Sequence, residues 1–229
     1  MTQIVLIVGA GQGLSAALAR RFASAGVKIA LAARSVEKLR PLAEETGAMT
    51  FACDASDPDS VTKLFADVDT RIGSPDVVIY NASGRSRGPL VELNPSDVER
   101  SLAVTGFGGF LVGQAAARHM VPKGQGVILF TGASASVKGY AQSAPFAMGK
   151  FALRGLAQSM ARELAPLGVH VAHVVIDGGI RQRGSQGDPT RPDAQLDPDA
   201  LAQTYFYLAG QPRSAWTWEV EVRPWVEKF

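Results

Sequence analysis

The sequence predicts a doubly wound α/β domain, a parallel sheet covered by helices on both faces. Two observations carry this expectation. Short β-branched runs alternate with longer stretches of helical period along the whole chain, and parallel neighbours need such a crossover between them. The 229 residues are 46% hydrophobic and show no internal repeat, low-complexity tract or linker, so one domain with a core on both faces of the sheet is expected.

Strands are predicted at Ile4–Val8, 27–32, 49–53, Val77–Tyr80, 126–130, Val169–Ile176 and Glu219–Val222. The first run is too short to span a membrane and has no charged leader, so a soluble cytoplasmic protein is expected. A helix is predicted over 16–25. Asp57-Pro58, Asn94-Pro95 and Asp197-Pro198 each offer an N-cap followed by proline at the first helical position. Residues 143–166 read as one long helix. The single cysteine, Cys53, excludes an internal disulfide and reads as a small apolar strand residue. Residues 178–196 are irregular and rich in Gly, Gln, Asp, Pro and Arg; a stretch this long after the sixth strand reads as a mobile lid over a ligand. With 23 basic and 21 acidic residues the net charge is +2, too balanced to imply nucleic acid or a membrane surface as partner. Arg85 with Arg87, and Arg181 with Arg183, read as solvated or ligand-facing loop charges.

The first strand runs into Gly9-Ala10-Gly11-Gln12-Gly13-Leu14-Ser15 and then a helix. Glycine lets the backbone approach a pyrophosphate closely, and a helix N-terminus offers N–H donors and a favourable dipole. Because this turn follows a strand, opens a helix and begins a βαβ unit, it reads as a dinucleotide site. The second strand ends at Ala33-Arg34. An acidic residue there would hold a ribose 2′-hydroxyl, whereas Arg34 can pair with a 2′-phosphate, so NADP(H) is the expected cofactor.

The order of these motifs resembles the short-chain dehydrogenase/reductase family over nearly the whole chain. Gly9 and Gly13 match its Gly-x-x-x-Gly-x-Gly turn, with Ser15 in place of the last glycine. Asp54, with Ala55 beside it, stands where the family holds the adenine. Asn81-Ala82-Ser83-Gly84 is similar to its Asn-Asn-Ala-Gly motif beside the cofactor. Asp177-Gly178 stands in place of its proline-glycine, and Ile180 follows at the cofactor. The resemblance implies a single Rossmann-like domain whose seven parallel strands run in the order 3-2-1-4-5-6-7.

That family also carries a serine after the fifth strand and a Tyr-x-x-x-Lys motif on the next helix. Spacing of four puts the two on one helical face, where the lysine binds the nicotinamide ribose and the tyrosine exchanges a proton with substrate. Here the segment is Phe146-Ala147-Met148-Gly149-Lys150, so the lysine is present and the phenol is missing. Ser134 is the candidate serine, with Ser136 as the alternative register, and Thr105 replaces an asparagine of the proton relay. Tyr140 and Tyr80 are substitute donors to consider, although each reads first as a packing aromatic. His119, His170 and His173 read as structural.

The expected activity is therefore NADP(H)-dependent hydride transfer to a small carbonyl or activated alkene with an unusual proton donor. In that reading Ser134 holds the acceptor oxygen and Lys150 the ribose. The alternative is a non-catalytic NADP(H)-binding or sensing protein that has lost the chemistry. The resemblance also implies a homodimer or homotetramer formed through helices around 98–120 and 146–164, the second bearing Phe151, Leu153, Leu156 and Met160. Trp216, Trp218 and Trp225 could add contact area.

Overall fold

A computed structural model describes residues 3–185 and 190–227. Seven strands form one sheet, β1 (Ile4–Val8), β2 (Lys28–Ala33), β3 (Met49–Ala52), β4 (Val77–Tyr80), β5 (Gly126–Thr131), β6 (Val169–Ile176) and β7 (Glu219–Val222), in the order β3-β2-β1-β4-β5-β6-β7. Every pairing is parallel. The expected topology and strands are all present, with ends displaced by one residue where β2, β3 and β5 meet their loops. Cys53 lies just past β3 as a buried free thiol.

Alternation along the central strands divides the core. Val5 and Ile7 face a layer that holds α1 (Leu14–Ala23), α2 (Arg40–Thr46) and α7 (Pro198–Ala209). Leu6 and Val8 face the layer of α3 (Pro58–Arg71), α5 (Gly108–Met120) and α6 (Ala144–Leu164). This is the two-faced burial that a parallel sheet requires. The expected N-caps form: the side chains of Asp57, Asn94 and Asp197 accept from the backbone N–H two residues on, opening α3, α4 (Pro95–Leu102) and α7.

The helical run around 98–120 is interrupted. Between α4 and α5 the chain makes a π-helical turn, Ala103–Phe107. Tyr80 supplies one reason, because its hydroxyl donates to the Val104 carbonyl. Thr105 supplies another, accepting from the Gly84 N–H at 2.9 Å. Wide turns of this kind recur at functional sites, and this one fastens α4 and α5 to the loop after β4.

The expected lid is anchored at its base. Ile180 and Leu196 form a parallel bridge, and Arg181 meets Asp197 at 2.5 Å. Residues 186–189 of that segment lie outside the described residues. Of the apolar positions expected to face a partner on α6, Leu153 is fully buried and Leu156 and Met160 pack against the core; Phe151 is exposed, as are Met148, Phe107 and Phe110. Trp216 stacks on His170, and Trp225 is the most exposed of the tryptophans.

Candidate active site

The strand order reverses between β1 and β4, and the loops that leave these two strands flank a crevice. Gly9 makes the first loop possible. Its φ is +83°, and a Cβ built on it would lie 2.3 Å from the Ala82 nitrogen, so the turn and the loop after β4 touch backbone to backbone. Asn81 Nδ2 donates to Ser15 Oγ at 2.7 Å, and the Ser15 hydroxyl donates to the Gly9 carbonyl at 3.0 Å. Ser15, the departure from the glycine pattern, thus knits the turn to Asn81.

At Gly11 and Gly13 the reason for glycine is different. A Cβ at either position would meet nothing within 4 Å among the described residues. Gly13 caps α1 without a side-chain hydrogen bond, and the first turn of α1 holds no acidic residue. An uncapped helix end behind small residues fits a phosphate group approaching from outside. Gln12 and Leu14 share the rim of this turn. Arg34, with Ser35, Lys38, Asp54, Ala55, Ala82 and Ser83, lines an adjoining cavity of about 700 Å3. Arg34 makes no ion pair among the described residues. Asp54 accepts from the Ser56 N–H and hydroxyl, which hold its carboxyl below the usual carboxylate range.

The second half of the crevice is a cleft of about 780 Å3 whose wall includes Ser134, Tyr140, Phe146, Lys150, Gly178 and Ile180. Phe146 is 8% exposed, and Lys150 Nζ lies 5.8 Å from its ring centroid, as four-residue spacing on α6 requires. Lys150 donates to the Thr131 carbonyl at 2.6 Å, its single hydrogen bond among the described residues. Burial, with Arg85 adding repulsion, pushes this ammonium down to about 7. A buried amine with unused donors facing a cleft fits the hydroxyls of a bound ribose. Thr105 packs under this helix: a Cβ at Gly149 would lie 2.8 Å from its own Cβ.

Three candidates fall elsewhere. Tyr80 is buried with its hydroxyl committed to Val104, so it is a structural ring and no donor to substrate. The Asp177 carboxylate is turned to Lys138 and Arg223, at 3.4 and 3.3 Å, and only its neighbours Ile176 and Gly178 line the cleft. Ser136 is fully buried, whereas Ser134 stands on the cleft wall.

Ser136 reveals an arrangement that sequence reasoning missed. Its oxygen accepts from the Ala133 N–H and lies 3.3 Å from His173 Nε2; His173 Nδ1 lies 3.0 Å from Glu219, which takes a bidentate bond from Arg154 at 2.6 and 2.7 Å. This chain of four side chains fastens the turn Ser134–Ser136 to β6, β7 and α6. Burial pushes His173 down to about 4, against the pull of Glu219, so the folded protein holds a neutral ring. The unfolded ring binds a proton near its ordinary value of 6.5. The stability this contributes is therefore complete above 6.5 and drains away as pH falls toward 4, by about 3 kcal/mol in all. Urea midpoints should decline across that window in the parent and decline less in His173→Gln; parallel profiles would refute the assignment.

Among the described residues no helix is long and apolar enough to cross a membrane, and no group of three or more metal-ligating side chains gathers. A profile described as short chain dehydrogenase matches residues 3–182. The chain belongs to the short-chain dehydrogenase family. It is 32% identical to the cyclic-di-GMP-binding biofilm dispersal mediator protein of Escherichia coli, over 77% of this chain and 72% of that one. A crystal structure of a short-chain dehydrogenase from Rhodopseudomonas palustris is 36% identical, covers 97% of this chain and 99% of its own, and superposes with a TM-score of 0.85. A metagenomic short-chain oxidoreductase in complex with NADP is 31% identical over 98% of both chains, also at 0.85. The fold and the oxidoreductase class come with the family; the individual substrate does not.

Proposed function

We propose that this short-chain dehydrogenase is an NADP(H)-dependent oxidoreductase acting on a small carbonyl or activated alkene. The observation that carries the reading is Lys150, a buried ammonium with one acceptor, opening on the same crevice as the uncapped N-terminus of α1. The NADP carried by the metagenomic relative supports the choice of cofactor, as does Arg34 at the end of β2. A bound nicotinamide supplies the hydride. Around it, α1 and the glycine turn receive the pyrophosphate, Arg34 the 2′-phosphate, Asp54 the adenine, and Lys150 the ribose hydroxyls. Ser134 holds the acceptor oxygen. Phe146 has no proton to give, so the oxygen or α-carbon takes its proton from water or from Tyr140, which is exposed on the cleft wall. Residues 178–196 act as the lid.

A second reading, a protein that binds NADP(H) without turnover, is favoured by Phe146 itself, and the E. coli relative is named for binding and mediation. Calorimetric titration and nicotinamide absorbance with aldehydes, ketones, quinones and enones separate the two. Turnover supports the enzyme, and tight binding without turnover the sensor. NADPH should bind more tightly than NADH by one to two decades, about the 1.5–3 kcal/mol of a charge-assisted hydrogen bond, and Arg34→Asp should erase or reverse the preference. Equal affinity in the parent would sink the assignment. Pairing of copies through α5 and α6 is part of the same reading, supported by the exposed Phe107, Phe110, Met148 and Phe151; a monomer by light scattering at micromolar concentration would remove it.

A further inference from the structure

The cleft beside Phe146 carries positive charge that no carboxylate among the described residues balances. Arg85, Arg87 and Lys150 line it, and among the described residues no aspartate or glutamate does. Arg154, Arg181 and Arg223 each meet a carboxylate elsewhere in the molecule. Arg85 and Arg87 meet none among the described residues. Burial, with repulsion from Arg87 added to it, pushes the Arg85 guanidinium below its ordinary value.

Arg85 is also held in place. Its guanidinium carbon lies 4.6 Å from the Phe146 ring centroid, a cation–π stack that keeps a long side chain over the reaction cleft. Neither arginine lines the two cavities that contain Gly11 and Gln12, so the phosphates of a dinucleotide in the glycine turn lie apart from them. The cation pair faces the substrate side.

We propose that the acceptor molecule carries an anionic group, carboxylate or phosphate, that seats on Arg85 and Arg87, with Phe146 as the positioning residue that holds Arg85 over the cleft. This rests on the oxidoreductase reading and names the substrate class for it. A planar guanidinium fork matches the paired oxygens of either anion. The ring that replaced the phenol then has a task of its own, since it carries the cation that selects the substrate.

The test compares matched pairs of carbonyl compounds on the NADP-saturated protein: 4-oxobutanoate against its methyl ester, and dihydroxyacetone phosphate against dihydroxyacetone. Binding is read by calorimetry and turnover by nicotinamide absorbance. At low salt at least one charged member should bind tenfold or more tightly than its neutral twin, and added salt should erode the difference. Which pair shows the preference tells carboxylate from phosphate. Arg85→Gln should reduce the preference strongly and Arg85→Gln with Arg87→Gln should abolish it, with the thermal midpoint and NADPH affinity retained. Phe146→Leu should weaken it, whereas Phe146→Tyr, which keeps a ring under the guanidinium, should preserve it. Charged and neutral members behaving alike, or a preference that survives the double substitution, overturns the proposal. Anions that bind but are never turned over overturn the oxidoreductase reading and leave the anion seat established.

Discussion

Phe146→Tyr will raise NADPH-dependent carbonyl reduction tenfold or more and leave the thermal midpoint unchanged. The new hydroxyl adds one oxygen to a ring that already forms part of the cleft wall, with Lys150 Nζ 5.8 Å from the ring centroid. A neighbouring ammonium favours the ionised phenol and so eases proton donation, and general acid help is typically worth about 10²–10⁴-fold. The measurement uses any carbonyl that the parent reduces even weakly. Two failures carry different meanings. A variant that melts earlier and gains nothing would place the ring tip in an apolar contact, where an unpartnered hydroxyl costs about 1–3 kcal/mol. A stable variant without gain would mean that the site departs from its family in more than the phenol, with Thr105 and the Arg85 stack as the next residues to change.

The fold was legible because its elements are short, apolar and punctuated. Asp57-Pro58, Asn94-Pro95 and Asp197-Pro198 are local signals, and each opens the helix it announces. The glycine turn and Lys150 were legible for a similar reason, since each is a local pattern on an element whose type is clear. Contacts across the sheet were not. His173 reaches Glu219 over 46 residues because β6 and β7 pair them directly, and no local pattern encodes that register. A weaker signal was available. Two histidines in a strand otherwise made of Val, Ala and Ile must find partners once buried, and Glu219 opens the next strand.

Side-chain direction was hidden in the same way. Tyr80 ends β4 at the mouth of the crevice by sequence, yet its hydroxyl is taken by Val104 in a π-helical turn that periodicity reads as plain helix. Asp177 follows β6 where the family touches its cofactor, but Lys138 and Arg223 take its carboxylate away from the cleft. Arg85 is a loop charge in the sequence. Only the fold shows that it stacks on Phe146, and the question of what the missing phenol leaves behind then acquires a physical answer.

A pair of glycine substitutions will separate the part of the crevice that the chain needs from the part that the cofactor needs. Gly9→Ala should destabilise the protein by about 3 kcal/mol or more. The left-handed backbone costs a side chain about 1–2 kcal/mol, and overpacking typically adds 1–3. The overpacking here is severe, because the new Cβ would stand 2.3 Å from a backbone nitrogen at Ala82, where no flexible side chain can yield. The strain would push apart the glycine turn and the Asn81 loop, and with them the Asn81–Ser15–Gly9 hydrogen bonds. Gly11→Ala should leave stability almost unchanged, since its Cβ meets nothing within 4 Å among the described residues and its φ is not left-handed. It should nevertheless weaken NADPH binding by tenfold or more, because the methyl group would occupy the approach of the pyrophosphate. Denaturation midpoints and calorimetric titration of the two variants give both answers. Unimpaired NADPH affinity in Gly11→Ala would mean that the dinucleotide does not lie against this turn, and a Gly9→Ala variant as stable as the parent would mean that the turn and the Ala82 backbone are not in contact in solution.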